Sequence, residues 1–337
     1  LVLPRSASNF SIILNYISFI ILSFFYSLFV LFNRKIDMIF IFCPSPILSA
    51  IPIIFINKFF KKKITLWVLD LWPDTIVDLN IIKNKFIINF FKKTIKYIYK
   101  NCDLILAQSE SIKNEINKIS TTKCVYFPSW PEEKIFDEKL DSKVEDDLKK
   151  NHDCLRIMFT GNIGEAQSFD TLIDTALILK NTLKIKWLII GDGRWKKILK
   201  NKINQNNLND DIKLFDSVPI TKMNSYYEYA DALYLSLKNN STFKKTIPGK
   251  LQTYMSSGKP IIASISGEAH NLIIDAKCGF VSEAEDHEEL ANNIKKFASL
   301  SIEKKKEFGN NALNYSNKFF NKKKIFKNLE NELRIIL

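Results

Sequence analysis

Histidine and cysteine are scarce in this chain, and neither forms a recognisable chemical motif. The 337 residues hold three histidines, His152, His270 and His287, with no metal-ligand spacing among them. The five cysteines, Cys43, Cys102, Cys124, Cys154 and Cys278, form no C-x-x-C pair and are odd in number. A reducing compartment fits them better than a disulfide framework. Also missing are a D-x-D triplet for Mg²⁺, a G-x-x-x-x-G-K-[ST] phosphate loop and a full G-x-G-x-x-G after a strand. The lack of G-x-S-x-G leaves a serine-hydrolase triad poorly supported. No repeat of solenoid period is present. The expectation is a protein that works with neither a metal nor an organic cofactor.

Hydrophobic residues make up 46% of the chain, which argues against disorder, and the length suffices for two domains with their own cores. Charge is uneven. Residues 1–100 carry 13 Lys/Arg against 4 Asp/Glu, so they hold +9 of the total +13. The same third is the most apolar, so an anionic membrane surface is the expected partner rather than nucleic acid. Phe10 to Phe32 is an uncharged run flanked by Arg5 and by Arg34-Lys35. It is long enough to span a bilayer, to lie in its surface, or to form a buried core helix, and the sequence leaves all three open. Leu1-Val2-Leu3-Pro4 resembles the end of a strand already under way, so a preceding segment is expected.

Strand and helix patterns then alternate. Asp37 to Phe42 and Ile64 to Leu69 read as strands, the second ending in Asp70-Leu71-Trp72-Pro73-Asp74. Carboxylates at the C-terminal end of a parallel strand lie where open α/β sheets bind ligands, although turn formation would use the same residues. Lys83 to Lys100 is amphipathic, with Lys85, Lys92, Lys93, Lys96 and Lys100 on one face. It suits either an anionic bilayer or a solvated core helix. Residues 131–153 mark a linker by their prolines and dense charge. They divide an N-terminal domain (1–130) from a C-terminal one (154–317), and residues 318–337 form a last helix.

Within the second domain, several turns are expected to meet at the strand C-termini: Gly161–Gly164, Gly191–Arg194, Val218-Pro219 and Lys244–Lys250. In the last of these, Pro248 suits the first position of a helix. Leu251, Tyr254 and Met255 share one buried stripe. Gly258 can close the helix, and Pro260 prevents its continuation. A further helix is expected at Asn271–Ala276, capped by Gly279. Glycine lets backbone approach a ligand closely, while helix N-termini and lysines attract phosphate oxygens.

These motifs carry a resemblance. Phe159-Thr-Gly-Asn-Ile-Gly-Glu-Ala-Gln-Ser, Gly191-Asp-Gly-Arg, Val218-Pro219 with Tyr226-Tyr227-x-x-Ala230-Asp231-Ala232-Leu233, and Pro248-Gly-Lys-Leu-Gln-Thr-Tyr-Met-x-x-Gly-Lys-Pro follow in order. Together with Asp70-Leu-Trp-Pro-Asp they resemble the family 4 retaining glycosyltransferases. The similarity is greatest to the bacterial branch that builds O-antigen and capsule, to which N-acetyl-L-fucosaminyl transferases belong.

The resemblance implies the α/β GT-B fold: two Rossmann-like doubly wound domains facing across a cleft, with the last helix returning to the first domain. It implies a UDP-sugar donor and a polyprenyl-diphosphate-linked saccharide acceptor, met at the cytoplasmic face of the plasma membrane. Donor contacts would come from Gly161, Asn162, Gly164, Gln167, Gly191, Arg194, Val218, Pro219, Lys245, Thr246, Gly249, Lys250 and Thr253. Of these, the Val218-Pro219 backbone would meet uracil, and Lys250 the phosphates. Asp70 and Asp74 are the candidate catalytic carboxylates.

Two departures stand out. Asn162 and Gln167 occupy places where the family has Arg and Lys, and Lys245 and Thr253 replace two Glu. The family's glycine-containing loop after the first strand also has no counterpart here. The expectation is therefore a truncated chain or an inactive remnant. A GT-B sugar epimerase and a degenerate subunit that supports a partner are the alternatives.

Overall fold

The computed structural model describes residues 9–43, 46–78, 82–132, 145, 148 and 154–337. The expected strand end at Leu1–Pro4, the Pro44-Ser45 turn and most of the linker, including 133–144 and 149–153, lie outside the described residues. The chain divides into two compact units, one of residues 1–128 with 325–337 and the other of residues 129–324.

The first unit begins with helix α1 (Asn9–Asn33), followed by β1 (Met38–Cys43), α2 (Ile51–Phe60) and β2 (Lys63–Val68). Then come α3 (Asp74–Asp78), α4 (Lys85–Lys100), β3 (Leu104–Ala107), α5 (Glu110–Ile119) and β4 (Cys124–Tyr126). The strands form a parallel sheet in the order β1-β2-β3-β4. Local chemistry sets the helix starts. The Asn84 side chain accepts from the Phe86 and Ile87 amides to open α4, and Ser109 Oγ accepts from Ile112 to open α5. The core lies between β1–β3 and α2, α4 and α5, with Ile54, Leu66, Ile98, Tyr99 and Ile112 buried.

The second unit contains β5 (Leu155–Thr160), α6 (Phe169–Leu179), β6 (Ile185–Ile190), α7 (Lys196–Gln205) and β7 (Ile212–Phe215). It continues through α8 (Met223–Glu228), β8 (Ala232–Ser236), α9 (Gly249–Ser256), β9 (Ile261–Ser264), α10 (Glu268–Asp275) and β10 (Gly279–Ser282). Helices α11 (His287–Ala298) and α12 (Ile302–Phe319) follow, and α13 (Lys322–Ile336) ends within the first unit. All six strands are parallel, in the order β10-β9-β8-β5-β6-β7. Strand order reverses between β5 and β8, the point at which such sheets open a crevice beyond their C-terminal ends. One core packs on each face of the sheet, around Leu251, Tyr254 and Met255 on one side and Trp187, Phe169 and Phe297 on the other.

Three local expectations need correction. Pro248 is extended (φ −66°, ψ 134°) and forms the N-cap of α9, so the first helical residue is Gly249. Helix α10 starts at Glu268, three residues before Asn271. Gly279 is not its cap; Lys277 makes the left-handed turn (φ 48°), and Gly279 opens an edge strand paired with Ile261. Gly258 does adopt the left-handed conformation (φ 71°) after α9.

Candidate functional site

Strand β5 ends at Thr160, and this residue fixes the walls of a cavity. Its N–H donates to Tyr254 Oη at 2.8 Å, and its hydroxyl lies 3.1 Å from Tyr227 Oη. Tyr254 belongs to α9 and Tyr227 to α8, and their rings meet edge to face at 5.9 Å. Both helices are therefore anchored to the end of β5 through buried phenols. Burial raises the pKa of each phenol, that of Tyr254 to about 12, so both remain neutral donors and acceptors.

The cavity between these walls has a volume of about 360 Å³, within the range of small-molecule sites. Gly161, Gly249, Lys250 and Thr253 line it, together with Ile220, Thr221 and Asn224 from the start of α8 and Trp130 and Glu132. Apolar surface, hydroxyls, the Lys250 side chain and the Glu132 carboxylate thus face the same space. Such a lining suits an organic anion that carries both a flat ring and hydroxyl groups.

Lys250 is the unusual member. Its Nζ is buried, has no hydrogen-bond partner among the described residues and sits 3.9 Å from the centroid of the Phe159 ring. Its aliphatic arm crosses Gly161 so closely that a methyl group there would lie 2.8 Å from Cε. Burial lowers its pKa from the ordinary lysine range to about 7. Gly191 supports this arrangement from behind, because a Cβ on it would lie 1.9 Å from the Gly161 carbonyl oxygen. A buried amine without a partner costs stability unless a ligand completes it.

The other expected donor residues lie outside the cavity lining. The Gln167 amide is engaged within its own turn, where Oε1 accepts from Gly164 N at 3.0 Å. Asn162 and Arg194 are exposed. Val218 packs against the core, and Pro219 precedes the turn whose next residues, Ile220 and Thr221, line the cavity. Lys245 ends a short 3-10 turn, and Thr246 Oγ1 donates to Thr242 O at 3.1 Å. Motif reading missed Trp130, Glu132, Asn224 and the Phe159 ring under Lys250. A tryptophan beside Pro128 and Pro131 at a composition boundary was the one available signal. Asp231, within the tyrosine motif, instead clamps the opposite end of β5 through Arg156 at 3.1 Å and 3.3 Å.

In the first unit, Asp70 follows β2 and Asp74 opens α3. Burial raises the Asp70 pKa to about 6, and burial, with a smaller contribution from the Asp70 charge, raises that of the Cys43 thiol.

Residues 142–315, just over half of the chain, match the family described as glycosyl transferases group 1. The glycosyltransferase MJ1069 of Methanocaldococcus jannaschii is 28% identical over 71% of this chain and 60% of its own length. The amylovoran biosynthesis glycosyltransferase AmsK of Erwinia amylovora is 29% identical over 46% of this chain and 38% of its own. The matches to these curated relatives thus span less than two thirds of their lengths. Among solved structures, Anabaena HepE in complex with UDP superposes with a TM-score of 0.71 at 14% identity, covering 88% of this chain and 78% of that one. The fold it shares with this chain is GT-B, two Rossmann-like domains with parallel sheets. This chain is a member of the group 1 glycosyltransferases.

Proposed function

We propose that the protein transfers a glycosyl group from a UDP-sugar to a lipid-linked saccharide, with retention and without a metal, in the assembly of a bacterial surface polysaccharide. The observation that carries this reading is Lys250, a buried amine with no partner among the described residues, at the wall of a cavity of about 360 Å³. HepE, of the same fold, was solved with UDP bound. AmsK, by its name, serves amylovoran biosynthesis. The sugar is proposed to be an N-acetylated deoxyhexosamine, following the resemblance to the fucosaminyl branch of family 4.

The diphosphate rests against Lys250 and the free amides at the start of α9, and the base against Ile220 and Thr221. As the glycosyl C–O bond breaks, negative charge grows on the departing UDP. Fixed N–H dipoles and the lysine lower the barrier at that point without a proton from a carboxylic acid. Asp70 and Asp74 steer the acceptor hydroxyl. The first unit faces the cytoplasmic leaflet of the plasma membrane through its basic, apolar helices.

Purified protein incubated with UDP-sugars and a polyprenyl-diphosphate-linked saccharide tests the reading. Sugar should pass to the lipid-linked acceptor, and Lys250→Ala should lower turnover on the order of a hundredfold. Sugar interconversion without acceptor, or UDP binding without transfer, would reject it. Unchanged turnover in Lys250→Ala would remove that residue from the phosphate site.

A further inference from the structure

Among the described residues, Lys250 faces no counter-ion that would hold it charged. From β5 it meets the Phe159 ring, with Thr160 and Gly161 beside it. From α8 come Tyr227 and Asn224, and from α9 Tyr254 and Thr253. The two phenols are neutral, as shown above, and Glu132, the carboxylate that lines the cavity among the described residues, is solvent-exposed. An ammonium at this place would leave three N–H donors unsatisfied, whereas an amine leaves less polar surface unmet.

The aromatic ring opposes this trend. A cation over a ring face at 3.9 Å is favoured, by about 0.5–2 kcal/mol. Desolvating an unpaired ammonium costs several kcal/mol. The larger effect decides, and the nitrogen rests as a neutral amine over a substantial part of the neutral pH range.

We propose that Lys250 makes donor binding proton-coupled: the empty site holds it as an amine laid on Phe159, and an arriving nucleoside diphosphate captures it as an ammonium. The amine takes one proton from solvent, no other bond changes, and the new N–H donors point at phosphate oxygens. This rests on the nucleotide reading given above and adds the protonation state of its central residue. The lowered pKa near 7 agrees with the geometry. Phosphate charge raises the pKa in the complex, so affinity is full below about pH 7 and falls as pH rises, by up to about tenfold per pH unit. Free nucleoside, lacking the diphosphate, gains nothing from the proton, so the same device selects for phosphate charge.

Calorimetric titration of UDP at about pH 8, where its terminal phosphate is already ionised, reads the proton count from two buffers of different ionisation heat. Wild type should take up nearly one proton per UDP, and Lys250→Arg, charged throughout, none. In parallel, NMR of the free protein with ¹³Cε-labelled lysine should show one signal, absent from Lys250→Met, that titrates near neutrality. UDP binding without proton uptake, or a Lys250 signal titrating in the ordinary lysine range, would overturn the inference and leave the glycosyltransferase reading intact. Failure of UDP to bind would overturn that reading, while the free-protein titration still judges the lysine.

Discussion

In the second unit, β8 and β9 are buried at every position, whereas β1 of the first unit exposes Phe40 and Phe42 at 43% and 55%. Helix α6 buries Phe169, Leu172, Ile173 and Ala176. Helix α1 carries no charged residue, yet its stretch Leu14–Asn33, long and apolar enough to cross a membrane, is almost wholly unburied. The same strand–helix alternation therefore leads to two outcomes. One unit turns its apolar side chains inward and closes a cavity of mixed apolar and polar lining at the sheet's reversal point. The other leaves large aromatic groups outside: Phe86 of α4 is 88% exposed, beside Lys85 and one turn before Phe90. Exposed phenylalanines on helices α1, α2 and α4, none of which has an acidic residue, suit an anionic lipid surface.

The sharpest way to break this contrast is to damage the closed unit alone. Gly191→Ala places a methyl against the Gly161 carbonyl and should cost about 4 kcal/mol or more, read from the denaturant midpoint. An unchanged midpoint would mean that the close backbone approach beneath Lys250 is absent.

The next largest effect belongs to the open unit. Changing Lys92, Lys93 and Lys96 to Glu should weaken binding to phosphatidylglycerol vesicles by at least about 3 kcal/mol and leave the affinity for UDP unaltered. Equal flotation of the variant would contradict the membrane contact proposed for α4.

Asp70 offers a smaller effect with a definite sign. Burial holds its folded pKa at about 6, above that of an exposed carboxylate, so the native state holds the proton more tightly than the unfolded chain. The stability it confers is complete below about pH 4 and is lost as pH rises through about 6, a change of roughly 2–3 kcal/mol. Melting curves of wild type and Asp70→Asn should diverge over that window and run parallel above it. Curves that stay parallel throughout would show Asp70 to be solvated.

The smallest expected change is a gain. Lys250→Met replaces an unpartnered nitrogen by an apolar group of similar length and should stabilise the empty protein by about 1 kcal/mol while lowering UDP affinity. Loss of stability would indicate that the amine has a partner.

Much of this was legible in the residues because strands buried on both faces read as short apolar runs, as at Ile157–Phe159 and Trp187–Ile190. Helix starts at Asn84 and Ser109 follow from side-chain capping. Strand β10 escaped because its four residues, GFVS, follow a helix by one short turn and carry little pattern of their own. For the cavity, motif spacing identified Lys250 and Gly161 but not the ring of Phe159, which is within the same strand yet touches Lys250 only through tertiary packing. Nor could spacing show that Gln167 bonds its own turn. Ligand-facing direction is set by backbone geometry, which a residue string does not encode.

The central claim is that the second unit receives a nucleoside diphosphate at Lys250. A crystal structure of the protein soaked with UDP tests it directly. The account predicts phosphate oxygens within hydrogen-bond distance of Lys250 Nζ, with the side chain lifted from the Phe159 ring. UDP bound elsewhere, or Lys250 still lying on that ring beside a bound nucleotide, would contradict it.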